Sequence, residues 1–80
     1  MTDDHLPGFA REAHSRMLTA FDRFASGLLT AERAAMARHL QETGMTPERA
    51  AQGAQAHVER IKAKLTEERA RLEAEGARTH

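Results

Sequence analysis

Apolar and polar residues recur at intervals of three and four along most of the chain, which is the periodicity of amphipathic helices. No stretch of the sequence alternates apolar and β-branched residues with polar ones in the manner of a half-buried strand. Two prolines and five glycines divide this helical pattern into three segments. The sequence therefore predicts an all-α fold, a small helical bundle of three main helices with a long C-terminal helix.

The first helix is predicted over residues 7–26, because Pro7 suits a first helical turn and Gly27 supplies a stop. Its apolar side chains form one broad face, to which Leu18 and Ala25 add a shoulder. This face carries all three phenylalanines of the chain, so we expect it to form the core. Its members are Phe9, Ala13, Met17, Ala20, Phe21, Phe24 and Leu28.

The second helix is predicted over residues 31–43, with Thr30 as the N-cap and Gly44 as a left-handed C-cap. Its apolar stripe is narrow and consists of Leu29, Met36 and Leu40. A helix this short has little stability alone. We expect the stripe to pack, together with the first helix, on the first half of the third helix.

The third helix is predicted over residues 47–75 and has the clearest start signal in the chain. Thr46 is the expected N-cap, Pro47 occupies the first helical position and Glu48 lies near the positive end of the helix dipole. Gly53 is the weak position inside the helix, at about 1 kcal/mol relative to alanine. Since the helix would extend about 43 Å at ~1.5 Å per residue, its second half is expected to lie beyond the first two helices.

Length and composition indicate a single domain spanning residues 1–80, with flexible termini at residues 1–6 and 76–80. The chain has a mass of 8.9 kDa, and many of its hydrophobic residues are alanines, which bury little area each. A chain with so few large apolar side chains often completes its core against another subunit or another protein.

Charge and hydropathy argue against nucleic acid and membrane as partners. The chain has 12 basic and 12 acidic residues, so its formal net charge is zero and no overall field attracts phosphates or anionic lipid. No segment approaches the ~20 apolar residues of a membrane span, and the acidic N-terminus does not resemble a signal peptide. We therefore expect a cytoplasmic protein.

Candidate catalytic and metal-binding groups lack the required spacing. The chain has no cysteine, and its five histidines contain no pair at the spacing of helical zinc ligands. Neither serine lies in a nucleophile motif, and no phosphate-binding loop is present. We expect no enzyme activity, no cofactor and no metal site.

The third helix offers the best candidate for a binding surface. Val58, Ile61, Leu65 and Leu72 follow the spacing of a coiled-coil seam, and basic residues flank the seam on both sides. Self-pairing along this seam would bring basic groups together, which favours another protein with an acidic-flanked surface, although the charges can also pair within the helix. A homodimer through the alanines on the opposite side is an alternative. The candidate partner-binding residues are Ile61, Lys62, Lys64, Leu65, Arg69, Arg71 and Leu72.

A helix-turn-helix over residues 31–56 is the alternative interpretation, because a short helix, a glycine-containing turn and a capped helix follow one another there. Against it, the second helix begins with the acidic Glu48 and continues well beyond the usual length of a recognition helix. The residues that would contact nucleic acid in this interpretation are Arg33, Arg38, Arg49, Gln52 and Gln55.

From the sequence we expect a non-catalytic helical protein–protein interaction module that acts as a small regulator, adaptor or inhibitor of a larger assembly. In one form of this hypothesis the module is a homodimer. The helix-turn-helix DNA-binding regulator remains the alternative hypothesis.

Overall fold

The computed structural model describes residues 5–78 and contains two α-helices joined by a tight turn. Helix α1 spans His5–Glu42 and helix α2 spans Pro47–Arg78. At ~1.5 Å per residue these helices are about 57 and 48 Å long, and the molecule measures 66 × 16 × 13 Å. The helices therefore lie side by side and antiparallel, as a long helical hairpin. The expectation of an all-α fold is confirmed, but the prediction of three main helices is wrong.

The predicted first and second helices are one continuous helix. Gly27 lies inside α1, and the backbone does not leave the helix there. Thr30 does not cap a new helix, because its Oγ1 donates a hydrogen bond at 3.1 Å to the carbonyl oxygen of Ser26, one turn earlier. Residues 5–6 and 76–78, expected within flexible termini, belong to the helices; residues 1–4 and 79–80 lie outside the described part of the chain.

Packing against α2 explains why α1 continues through Gly27. A glycine inside a helix costs about 1 kcal/mol relative to alanine. Ala25, Leu28 and Leu29 on either side of it are half-buried against α2. Burial of apolar side chains at ~25 cal/mol per Å² exceeds the cost of one glycine once several side chains contribute.

The turn between the helices ends α1 with a Schellman motif. Gly44 has a positive φ of 104°, which a glycine adopts without a steric penalty. Its N–H donates to the carbonyl oxygen of Gln41 at 3.0 Å, and the N–H of Met45 donates to that of Leu40 at 3.1 Å. The prediction of a left-handed C-cap at Gly44 is confirmed.

The start of α2 also follows the local sequence signals. The Oγ1 of Thr46 accepts a hydrogen bond at 3.3 Å from the N–H of Arg49, as an N-cap residue does. Pro47 occupies the first helical position and Glu48 lies in the first turn. The predicted start of the long C-terminal helix is confirmed.

The tightest packing lies near the turn. In the described part of the chain, Ala50 and Ala54 are fully buried and Val58 is 2% exposed. Beyond them, half-buried positions continue along both helices at spacings of three and four. On α1 these include His14, Leu18, Phe21, Ala25, Leu28, Leu29, Glu32, Met36 and Leu40, and on α2 they include Ile61, Leu65, Glu68, Arg69 and Leu72.

Two glycines of α2 leave room for side chains of α1. A Cβ on Gly53 would lie 2.6 Å from Cδ1 of Leu40, and a Cβ on Gly76 would overlap the ring of His14. These contacts set the register of the hairpin from end to end. They also show that α1 covers the second half of α2, which was expected to extend beyond the other helices. The first turns of α1 extend past the level of Gly76, near the end of α2.

We predict that Val58→Ala lowers the free energy of unfolding of the hairpin by about 2 kcal/mol, because it removes two methyl groups from the largest fully buried side chain. Urea unfolding followed by circular dichroism measures the effect. Glu59→Ala, at the exposed next position, is the control and should change stability by less than about 0.5 kcal/mol. Equal effects of the two substitutions would contradict this packing.

Candidate protein-interaction surface

Helix α1 exposes much of the face that was expected to form the core. In the hairpin Phe9 is 74% exposed, Phe24 is 61% exposed and Met17 is 41% exposed. Of the three phenylalanines, only Phe21 is half-buried against α2. We call the exposed apolar line along α1 the outer stripe. It consists of Phe9, Ala13, Met17, Ala20, Phe24, Gly27, Ala31 and Ala35, all of which are exposed.

The apolar residues of α1 form two stripes, and one neighbouring helix can cover only one of them. At ~100° per residue, the outer stripe lies about 120° around the helix from the side that contacts α2. Leu18 and Ala25, expected at the shoulder of the apolar face, lie at the centre of the side that contacts α2. The prediction that Phe9 and Phe24 are buried in the fold is therefore wrong.

The width of the apolar arc was the available signal for a second stripe. An arc that includes both Phe9 and Leu18 extends over about half of the helix circumference at ~100° per residue. A helix that contacts one neighbour buries a narrower seam. Such a wide arc indicates that α1 can contact two neighbours, and α2 is only one.

An ion pair between the helices marks one long side of the hairpin. The guanidinium of Arg69 donates two hydrogen bonds to the carboxylate of Asp22, at 2.7 and 3.1 Å. Arg69 also lies 3.1 Å from Glu73, one turn later on α2. The hydrogen bonds from Arg69 lower the pKa of Asp22, and the hydrogen bond to Asp22 raises the pKa of Arg69. The pair shows that the register of the hairpin brings the middle of α1 level with Arg69.

A shallow groove of about 110 Å³ runs beside this ion pair. Apolar side chains form its floor and charged ones its rim. Its volume is well below the ~300 Å³ at which ligand pockets begin. The groove is lined by Phe21, Asp22, Ala25, Leu29, Lys62, Leu65, Thr66 and Arg69.

The structure distributes the predicted partner-binding residues of α2 over three directions. Ile61, Leu65 and Leu72 are half-buried toward α1, so the seam is occupied by the protein's own helix. Lys62 and Arg69 line the groove beside Asp22. Lys64 and Arg71 point to the other long side, about 160° from Lys62 and Arg69 around α2. The structure therefore does not bring these seven residues together on one surface.

Two of the described histidines, His14 and His57, contribute to contacts between the helices. Nε2 of His57 lies 2.9 Å from the carboxylate of Glu32 across the interface, where both side chains are half-buried. His14 lies against Gly76. Within the searched part of the chain, no three His, Cys, Asp or Glu side chains converge to hold a metal ion. Neither described helix is long and apolar enough to cross a membrane.

The residues of the helix-turn-helix alternative lie around the closed end of the hairpin and are exposed. Gln55 is already hydrogen-bonded to Glu59 at 2.6 Å. Arg33 and Arg38 point about 140° apart on α1. A helix-turn-helix joins helices that cross at about 90–120°, whereas α1 and α2 lie antiparallel. These five residues do not form the surface that would enter a DNA groove.

Comparison with known proteins gives no relative from which a function could be taken. No protein-family model matches the chain, and neither the curated proteins nor the solved structures contain a significant match. The outer stripe and the groove are therefore the basis for the function proposed below.

We predict that the stabilising effect of Asp22 is present at neutral pH and disappears in acid. Its pKa in the folded state is lowered below its ordinary value of 3.8, so the contribution is complete above that value and is lost as the pH falls through the folded pKa. The urea midpoints of wild type and Asp22→Asn should differ at about pH 7 and converge in acid, below the folded-state pKa of Asp22. Glu12→Gln, which alters an exposed pair within one helix, is the control, and a pH-independent difference for Asp22→Asn would contradict the assignment.

Proposed function

We propose that the protein is a non-catalytic protein–protein interaction module, which acts as a small regulator, adaptor or inhibitor by binding through the outer stripe of α1. The exposure of Phe9, Met17 and Phe24 along one line of a regular helix is the observation that carries this proposal. Isolated exposed apolar residues are common on protein surfaces, but a continuous apolar line bounded by charged side chains marks a binding surface.

The energetics of the hairpin support a binding role. Full burial of a phenylalanine contributes about 1.5–3 kcal/mol, and the hairpin leaves two of its three phenylalanines mostly exposed. Aromatic side chains at the centre of an interface commonly provide most of its binding energy. A partner that covers Phe9 and Phe24 would therefore gain affinity from side chains that contribute little to the folded hairpin alone.

The surface is shaped for a helix or another flat element. A second shallow depression of about 110 Å³ lies on the outer stripe and is lined by Phe9, Glu12, Ala13 and Arg16. Both depressions are shallow, and small-molecule sites generally enclose ~300–1,000 Å³. Recognition through a line of residues at helical spacing is the geometry by which one amphipathic helix binds another.

A photoreactive side chain on the stripe tests the proposal. We expect Phe24→p-benzoylphenylalanine to form a covalent adduct with a protein in extract of the native host, whereas Ala63→p-benzoylphenylalanine, on the exposed outer side of α2, should not. Adding Phe9→Asp should reduce the adduct at least about tenfold, since the most exposed aromatic contact of the stripe is lost. Circular dichroism verifies that each variant is helical. Equal labelling from positions 24 and 63, or none from either, would contradict the proposal.

A further inference from the structure

We propose that the outer stripe binds the outer stripe of a second copy of this chain, so that two hairpins form an antiparallel four-helix bundle. This inference rests on the proposed function and names the partner of the same surface. In the bundle, α1 of one protomer lies antiparallel to α1 of its partner. The two protomers are related by a two-fold axis that passes perpendicular to the helices at the level of Asp22.

Side-chain size determines this register. The large residues of the stripe are Phe9, Met17 and Phe24, and its other five positions are alanine or glycine. When the two stripes run antiparallel about the level of Asp22, each large side chain lies opposite a small one, which is how two helix surfaces interdigitate. The facing pairs are Phe9 with the partner's Ala35, Ala13 with the partner's Ala31, Met17 with the partner's Gly27, and Ala20 with the partner's Phe24.

Neighbouring registers lack this complementarity. If the partner's α1 is shifted along its axis by about half a heptad in one direction, Phe24 lies opposite the partner's Met17 and Ala20 lies opposite the partner's Ala20. A shift in the other direction places Phe24 against the partner's Phe24 on the two-fold axis. Both shifted arrangements place large side chains against each other, which the proposed register does not, and such overpacking destabilises an interface.

The surroundings of Gly27 support the same pairing independently of side-chain size. The glycines at positions 53 and 76 accommodate Leu40 and His14, but a Cβ on Gly27 would meet nothing within 4 Å in the hairpin. A helical glycine that nothing approaches costs about 1 kcal/mol with no compensating contact. In the proposed register the side chain of the partner's Met17 lies over Gly27, and the missing Cβ lets the two α1 helices approach closely.

The charged side of α2 lies on the same long side of the hairpin as the outer stripe. Asp22 and Arg69 bond across the opposite long side. On α1 the outer stripe is about 140–180° around from Asp22, and on α2 Lys64 and Arg71 are about 140° and 160° around from Arg69. When two outer stripes meet, the two α2 helices therefore lie on the same side of the bundle.

The charges of the two α2 helices are complementary in this arrangement. The axis passes at the level of Arg69, because Arg69 bonds to Asp22. Lys64 then lies close to the level of the partner's Glu75, and both point to the side of the hairpin that carries the outer stripe. This pair occurs twice by symmetry, and opposite charges across antiparallel helices favour the pairing. Arg23 lies near the axis on α1, about 80° from the centre of the stripe, where it can extend into solvent.

The available area is sufficient for a stable dimer. The stripe is about 40 Å long at ~1.5 Å per residue, and the hairpin is 16 Å across. The product is an upper limit of about 640 Å² on each protomer, or about 1,300 Å² in total, compared with the ~1,000 Å² expected of a specific interface.

Cysteine cross-linking tests the register, because the natural sequence contains no cysteine. We expect Ala13→Cys and Ala31→Cys proteins, mixed and mildly oxidised, to form a mixed disulfide dimer. Either variant alone should not, since equivalent positions lie about 27 Å apart along an antiparallel pair at ~1.5 Å per residue. Ala56→Cys, on the outer side of α2, is the control for random collision. Efficient dimerisation of Ala13→Cys alone would indicate a parallel pair and overturn the proposal.

A substitution at Gly27 tests the interface without disturbing the hairpin. Gly27→Leu should raise the dimer dissociation constant at least about tenfold, because the added side chain meets the partner's Met17. Ser26→Leu, at the adjacent exposed position off the stripe, should leave it unchanged. Sedimentation equilibrium measures the constants, and circular dichroism verifies helicity. An unchanged constant for Gly27→Leu, or a wild type that stays monomeric at about 100 µM, would overturn the proposal.

The photo-adduct at position 24 separates this inference from the proposed function. An adduct of twice the chain mass supports both. An adduct only with a different protein, together with a monomeric wild type, overturns the inference and leaves the function standing. No adduct from a helical protein overturns both.

Discussion

Close contact between α1 and α2 near the turn fixes the register of the whole hairpin. Ala50 and Ala54 are fully buried there, and Gly53 leaves the space that the side chain of Leu40 fills. Since the spacing of three and four continues along both helices, the register established at this end also places Asp22 at Arg69. It decides which side of α1 is covered, and so which apolar side chains remain exposed.

A two-helix hairpin cannot bury all the apolar surface that this chain carries. Its accessible surface is 6217 Å², whereas a compact protein of this mass exposes about 4,800 Å². The excess follows from the rod shape, in which each helix contacts one neighbour along one side. Hydrophobic burial within one chain is therefore small, and a surface shared with another chain would add to it.

The features that the sequence predicted correctly are those encoded by a few adjacent residues. Gly44 ends α1 and Thr46 with Pro47 starts α2 through hydrogen bonds that span no more than five positions. Gly27 and Thr30 carry comparable local signals, but α2 packs across them and the helix continues. The decisive interaction there comes from residues distant in the chain, which a local motif does not contain.

The exposed side of α1 could be predicted only in part. The arc of apolar residues indicated two possible contact sides, and the spacing around Leu18 and that around Met17 are both suited to a coiled-coil seam. Which of the two sides of α1 packs on α2 depends on which one fits the alanines and glycines of α2. The seam of α2 was correctly identified as a contact surface, but the neighbour that occupies it is α1, because α1 is far longer than predicted.

The position of the buried residues implies that the hairpin is not equally stable along its length. Ala50, Ala54 and Val58 all lie within about four turns of Gly44, and packing becomes looser toward the open end. Contacts far from the turn also close longer loops and lose more chain entropy when they form. Amide hydrogens near the open end would therefore exchange with solvent through local openings, while those near Gly44 would exchange only when the whole hairpin unfolds.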